Sequence, residues 1–88
     1  MSLQNYLASL GIDQLKELHS DLSSAGLAFE SHRKDKDKRD SWKQVFIDRR
    51  LECSGKRKKL YSALAKAKIN EINNLLNVMV TLYPGLKH

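Results

Sequence analysis

Helix-breaking residues are almost absent from the interior of this 88-residue chain. It contains one proline, Pro84 near its end, and four glycines. Proline and glycine are the residues that most disfavour a helix interior. No run of alternating β-branched residues bounded by turn residues predicts a strand. The sequence therefore predicts an all-α fold: a small bundle of three or four helices, with a long C-terminal helix in a helical hairpin.

The spacing of apolar residues divides the chain into helices within a single domain, residues 1–88. Asp13 is the expected N-cap of one helix, and Ser41 with Gln44 has the form of a capping box at the start of another. A segment of alternating charges lies between them and fits either a helix or a loop. The expected elements are a short helix 2–10, a helix 13–30, the charged segment 31–40, a helix 41–53 and a long helix 57–82.

The apolar arc of the long helix is its main structural feature. It covers roughly half of the circumference, wider than the stripe of about 100° that a surface helix needs, so this helix requires two packing partners. Lys68 falls near the middle of the arc. Across the chain, the residues expected in the core are Leu15, Leu18, Leu22, Trp42, Phe46, Leu64, Ile72, Leu75 and Met79.

Charge is distributed unevenly along this basic chain, whose net charge is +6. Residues 1–30 carry four acids and one lysine, a net −3, whereas residues 31–88 carry fifteen cations and six acids, a net +9. Two interpretations follow from this asymmetry. The acidic head pairs with the basic tail, within one chain or across a dimer, or the basic part forms a face that binds an anion.

Residues that would support catalysis or metal binding are not arranged for either. The single Cys53 excludes an internal disulfide, and the three histidines lack metal-ligand spacing. Neither a phosphate-binding loop nor a glycine-rich dinucleotide turn is present. No apolar run approaches the roughly 20 residues that span a bilayer, and no signal peptide is recognisable. We therefore expect a non-enzymatic protein with no metal and no cofactor, soluble and cytoplasmic, with a nuclear location left open.

Four consecutive cations, Lys56-Arg57-Lys58-Lys59, lie at the start of the long helix and indicate an anionic binding partner. Cations there are unfavourable by roughly 0.3–1 kcal/mol each, because the helix N-terminus is already positive. An anion in that position would offset this. If Ser54-Gly55 forms a turn, cations of the preceding helix converge on the cluster. The expected nucleic-acid-binding residues, making sequence-independent phosphate contacts, are Lys43, Arg49, Arg50, Lys56, Arg57, Lys58, Lys59 and Lys66.

A different class of function also fits the sequence, a helical adaptor, inhibitor or co-chaperone that docks on an acidic or apolar surface of a target protein. An 88-residue chain buries only about 60% of its unfolded surface. A homodimer is therefore expected rather than a monomer. The basic cluster also fits a solubilising surface, and as a third interpretation it resembles a short nuclear-localisation cluster. The expected partner interface on the long helix consists of Lys68, Ile72, Leu76, Met79 and Tyr83.

Overall fold

The computed structural model describes residues 3–87, which form helices and turns. No strand occurs in this range, so the prediction of a small all-α bundle is confirmed. The α-helices are α1 (Ile12–Ser31), α2 (Lys43–Glu52), α3 (Gly55–Lys66) and α4 (Ile69–Leu82). Two 3₁₀ helices, Leu3–Ser9 and Pro84–Lys87, flank them. The predicted helix 2–10 is thus a 3₁₀ helix, and its first residue lies outside the described range.

The four α-helices pack as two pairs. Helices α2 and α3 form a hairpin, and α1 packs on α4. Gly26 of α1 marks a close approach between helices, because a Cβ atom there would lie 3.4 Å from Oδ1 of Asn73 in α4. The N-terminal 3₁₀ helix contacts α3 and α4, so it spans the two pairs.

The core between the helix pairs contains every residue that the apolar spacing placed there. All nine are buried, and this prediction is confirmed. Leu7, Leu60, Tyr61 and Leu86 are buried with them. Helix α2 buries one face, which contains Phe46, whereas Leu51 on another side of the helix remains 74% exposed.

The long helix 57–82 was predicted wrongly, because the chain breaks at Ala67 and Lys68. Both residues have extended backbone, with ψ of 160° and 157°. No proline or glycine causes the break, so packing overrides local helix propensity here. The wide apolar arc belongs to two helices: α3 directs its part toward α2, and α4 directs its part toward α1.

Two predicted helix starts also need correction. Helix α1 begins at Ile12 with Gly11 as N-cap, and the Gly11 N–H donates to Oε1 of Gln14 at 3.1 Å, so Asp13 is not the cap. Helix α2 begins at Lys43 without a side-chain cap. The side chain of Gln44 does not form the capping box with Ser41, because its Nε2 donates to Oδ1 of Asp48 one turn ahead, at 2.9 Å.

The charged segment 31–40 is a series of turns rather than a helix. Helix α1 ends at Ser31, and residues 32–42 have no regular α-helix. The Asp37 N–H donates to Oδ1 of Asp35 at 3.0 Å, the local bond by which Asp stabilises a turn. This segment separates α1 from α2 and lets each bury its own apolar face.

Candidate nucleic-acid interface

Arg49 lies at the centre of a charge network that joins α1, α2 and α3. Its Nε donates to Oδ2 of Asp21 at 3.1 Å, and its Nη1 lies 2.9 Å from Oε1 of Glu17. Glu52 approaches the same guanidinium at 3.7 Å. Arg57 of α3 reaches the other oxygen of Glu17 at 3.6 Å. The acidic head of the chain therefore pairs with part of its basic tail within one molecule.

Burial at this network shifts the titration of Asp21 and Tyr61. Desolvation raises the pKa of Asp21 above its usual value, although the hydrogen bond and charge of Arg49 oppose this. The same hydrogen bond raises the pKa of Arg49, whose side chain keeps contact with water. Burial, with the carboxylates of Asp21 and Glu17, raises the pKa of Tyr61 to about 12. These shifts are those of a partly buried ion-pair network at the junction of three helices.

The outer face of α3 carries exposed lysines. A shallow, open depression of about 700 Å³ follows this face, and its residues recur at helical spacing. Between the lysines its floor consists of small residues. The depression is lined by Gly55, Lys58, Lys59, Ser62, Ala63 and Lys66, which we call the α3 lysine face. Helix α3 contains no acidic residue, so no carboxylate of its own screens these cations.

The start of α3 adds backbone donors to the same region. Ser54 is the N-cap residue but makes no side-chain hydrogen bond to the helix. Gly55 has φ of 62°, in the left-handed region that glycine adopts most readily, and it turns the chain from α2 into α3. The first N–H groups of a helix lack intrahelical partners and favour an anion. The connection between the two helices is Cys53-Ser54, and Gly55 of the predicted Ser54-Gly55 turn is the first residue of α3.

Only part of the predicted binding set reaches this face. Lys58, Lys59 and Lys66 line it, and Lys56 is exposed beside it. Arg49 and Arg57 lie outside the α3 lysine face, because acidic residues of α1 hold both guanidiniums, and their contact with nucleic acid stays a prediction.

Two further predicted cations lie on α2 and line no part of the face. Lys43 is half-buried, with its ammonium 5.6 Å from the centre of the Trp42 ring. Arg50 is also half-buried, in the last turn of α2. The face is therefore formed by α3, rather than by α2 and α3 together.

An aromatic residue that the sequence pattern did not indicate lies next to these lysines. Tyr6 and Asn5 of the N-terminal 3₁₀ helix line a smaller pocket together with Lys56 and Lys59 of α3. Because Lys59 borders both concavities, the pocket continues the α3 lysine face. No local pattern could reveal this neighbourhood, since it arises from the packing of opposite parts of the chain.

The predicted partner interface is divided between the core and the surface of one chain. Ile72 and Met79 are fully buried in the core of one chain and cannot contact a partner, which corrects their assignment. Leu76 and Tyr83 are half-buried. Lys68 is exposed as the N-cap residue of α4, so it lies outside the apolar arc rather than in its middle.

Metal-binding groups and membrane-spanning helices were looked for in the part of the chain that the structure describes. No group of three or more His, Cys, Asp or Glu residues there could hold a metal ion. None of its helices has the length and apolar character needed to cross a membrane. No protein-family model matches the sequence, and neither a curated protein nor a solved structure shows significant similarity to it.

Proposed function

We propose that this protein is a non-enzymatic regulator or accessory protein that binds nucleic acid through phosphate contacts on the α3 lysine face. The observation that carries this proposal is a row of lysines along one face of α3, a helix that contains no acidic residue. Arg49 and Arg57 are neutralised by the acidic head of the chain. Within residues 3–87, Lys56, Lys58, Lys59 and Lys66 have no carboxylate partner.

Phosphate is the anion that fits this surface best. Phosphate contacts need positive charge and reach but no concave, preformed site, and the α3 lysine face is shallow and open. Lysine acts on phosphate as a point charge on a flexible stem, so a row of lysines accepts many backbone geometries. Binding of this kind positions a protein on nucleic acid without reading its sequence.

A salt titration of binding tests the proposal directly. Fluorescence anisotropy would be measured with labelled duplex DNA, single-stranded DNA and RNA at several NaCl concentrations. The logarithm of the duplex association constant falls with the logarithm of salt by about 0.9 for each neutralised phosphate. The four lysines predict a slope of about −3.6 on a duplex. Absence of binding at physiological salt would contradict the proposal.

A charge-matched pair of variants separates this surface from net charge. Lys58→Glu with Lys59→Glu reverses two cations of the α3 lysine face, whereas Lys34→Glu with Lys36→Glu makes the same change in the exposed turn segment. We expect the first variant to lose most of its affinity and to have a much smaller salt slope. The control should keep most of its affinity. Equal losses in both would mean that net charge, and not this face, determines binding.

One observation supports the second candidate function, docking on a target protein. Leu82 is 59% exposed and borders a small apolar depression on α4, lined by Asn77, Val78, Thr81 and Leu82. If nucleic acid does not bind, Leu82→Ser is the variant with which to probe this surface. The expected homodimer stays a prediction, and sedimentation at micromolar concentration would test it.

A further inference from the structure

The pocket between the N-terminal 3₁₀ helix and α3 combines an aromatic ring with cations. It is lined by Asn5, Tyr6, Lys56 and Lys59. Tyr6 is half-buried, whereas Asn5 and both lysines are exposed. The pocket is thus lined by a tyrosine that also packs against the core, by an amide that donates and accepts hydrogen bonds, and by two lysines.

The size of the pocket limits what it can hold. Its volume is about 170 Å³, and sites for whole small molecules measure roughly 300–1,000 Å³. It therefore suits one ring system of a larger ligand whose remainder lies outside. The α3 lysine face shares Lys59 with this pocket and provides the place for that remainder.

We propose that this pocket takes an unpaired base of single-stranded nucleic acid, stacked on Tyr6, while Lys56 and Lys59 hold the adjoining phosphates. The inference rests on the proposed function and names its preferred partner. Aromatic side chains beside a cationic groove are the recurring means by which proteins bind single strands, because every base has a face that can stack. A base inside a duplex is already stacked and paired, so a duplex cannot fill the pocket.

The path of the strand follows from the position of the lysines on α3. Lys59 and Lys66 are two helical turns apart, about 10.5 Å at 1.5 Å per residue. A stacked strand advances about 3.4 Å per nucleotide, so about three nucleotides cover this distance. Beyond the pocket the small residues Ser62 and Ala63 offer no ring for stacking. One base in the pocket and phosphates alone along α3 are therefore expected.

Two oligonucleotides of equal charge test the stacking. The probes are a labelled 12-mer of thymidine and a 12-mer of abasic sites with the same phosphates, compared on the wild-type chain by anisotropy. Stacking of one base contributes about 1–3 kcal/mol, which corresponds to about 5- to 150-fold in affinity. We expect the thymidine 12-mer to bind more tightly by a factor in this range.

Variants of the tyrosine test its role in that difference. Tyr6→Leu should bind both oligonucleotides with the affinity of the wild type for the abasic one, while Tyr6→Phe should keep the preference. Tyr83→Leu replaces a half-buried tyrosine at the end of α4 and is the matched control. The emission of the single tryptophan, Trp42, reports whether each variant is folded.

The outcomes separate this inference from the proposed function. If wild type binds both oligonucleotides equally, or if folded Tyr6→Leu still prefers the thymidine 12-mer, the inferred stacking of a base on Tyr6 is wrong. The proposed phosphate binding by the α3 lysine face would be unaffected. If neither oligonucleotide nor a duplex binds, the proposed function fails and the pocket with it. Equal competition by an acidic peptide of matched charge would also overturn the inference, because it would show that no base is recognised. The oligonucleotide comparison needs no variant and holds even where Tyr6→Leu does not fold.

Discussion

At the scale of single residues, Asp21 and Arg49 do not contribute equally to the junction of α1 and α2. Asp21 is buried, whereas Arg49 is partly exposed and has further partners in Glu17 and Glu52. Removing one member of a buried pair leaves the other charge uncompensated. This penalty is large only for the member that water cannot reach, so the two residues should respond differently to substitution.

We expect Arg49→Met to destabilise the protein much more than Asp21→Asn. The methionine keeps much of the apolar stem of Arg49 but leaves the buried Asp21 carboxylate without its cationic partner. The free energy of unfolding should fall by on the order of 3 kcal/mol. Asp21→Asn removes a buried charge and leaves Arg49 with Glu17 at 2.9 Å, so the loss should be about 1 kcal/mol. Urea unfolding followed by Trp42 emission measures the free energy of unfolding of both variants. Equal losses in the two would show that Asp21 and Arg49 contribute equally.

The pH dependence of Arg49→Met gives a second test of the same residue pair. Desolvation already raises the pKa of Asp21 in the folded state, and loss of Arg49 removes the two largest effects that oppose it. A group whose folded pKa is raised stabilises the fold below its unfolded pKa and loses that contribution as pH rises through the folded value. The loss in free energy of unfolding that Arg49→Met causes should therefore be smaller near pH 4 than at pH 7. In the Asp21→Asn background, which lacks this carboxyl group, the loss of stability caused by Arg49→Met should not depend on pH in this way.

At the scale of elements, the break between α3 and α4 makes Lys68 an N-cap residue. Its side chain cannot accept a hydrogen bond from the helix, and its charge opposes the helix dipole. We expect Lys68→Asp to raise the free energy of unfolding by about 0.5–2 kcal/mol. Lys66→Asp, which places the same change in the last turn of α3, should lower it. A continuous helix would show no stabilisation by Lys68→Asp, so urea unfolding of both variants tests the break.

Helical periodicity predicted which residues are buried but not where every helix ends. Leu64 and Leu75 were placed correctly, because apolar spacing is a local property that persists on both sides of a break. The break at Ala67 carries no glycine or proline and results from the different partners of α3 and α4. The neighbourhood of Tyr6 and Lys56 is likewise a product of packing, and sequence spacing carried no signal for it.

At the scale of the whole molecule, the sequence shows how many cations exist but not which are free. The asymmetry between residues 1–30 and 31–88 left open whether the two parts pair or whether one binds an anion. In the structure, Arg49 and Arg57 are paired with acidic residues of α1, whereas the lysines on the outer face of α3 have no carboxylate partner among the described residues. A binding surface built this way should weaken the fold when no ligand is present.

The lysines at the start of α3 should favour anion binding but lower the stability of the free protein. Lys56 and Lys58 lie in the first turn of α3, where each cation is unfavourable by about 0.3–1 kcal/mol at low ionic strength. Raising NaCl from 10 to 150 mM shortens the Debye length from about 30 to about 8 Å. Salt then screens the unfavourable interaction of the exposed lysines with the helix N-terminus, but it screens the partly buried Arg49 network less. The wild-type free energy of unfolding should therefore rise by about 1 kcal/mol. Lys58→Glu with Lys59→Glu should be at least as stable as wild type in 10 mM NaCl and respond less to salt. Lower stability of that variant at low salt would show that these lysines support the fold, and the case for a binding face would be lost.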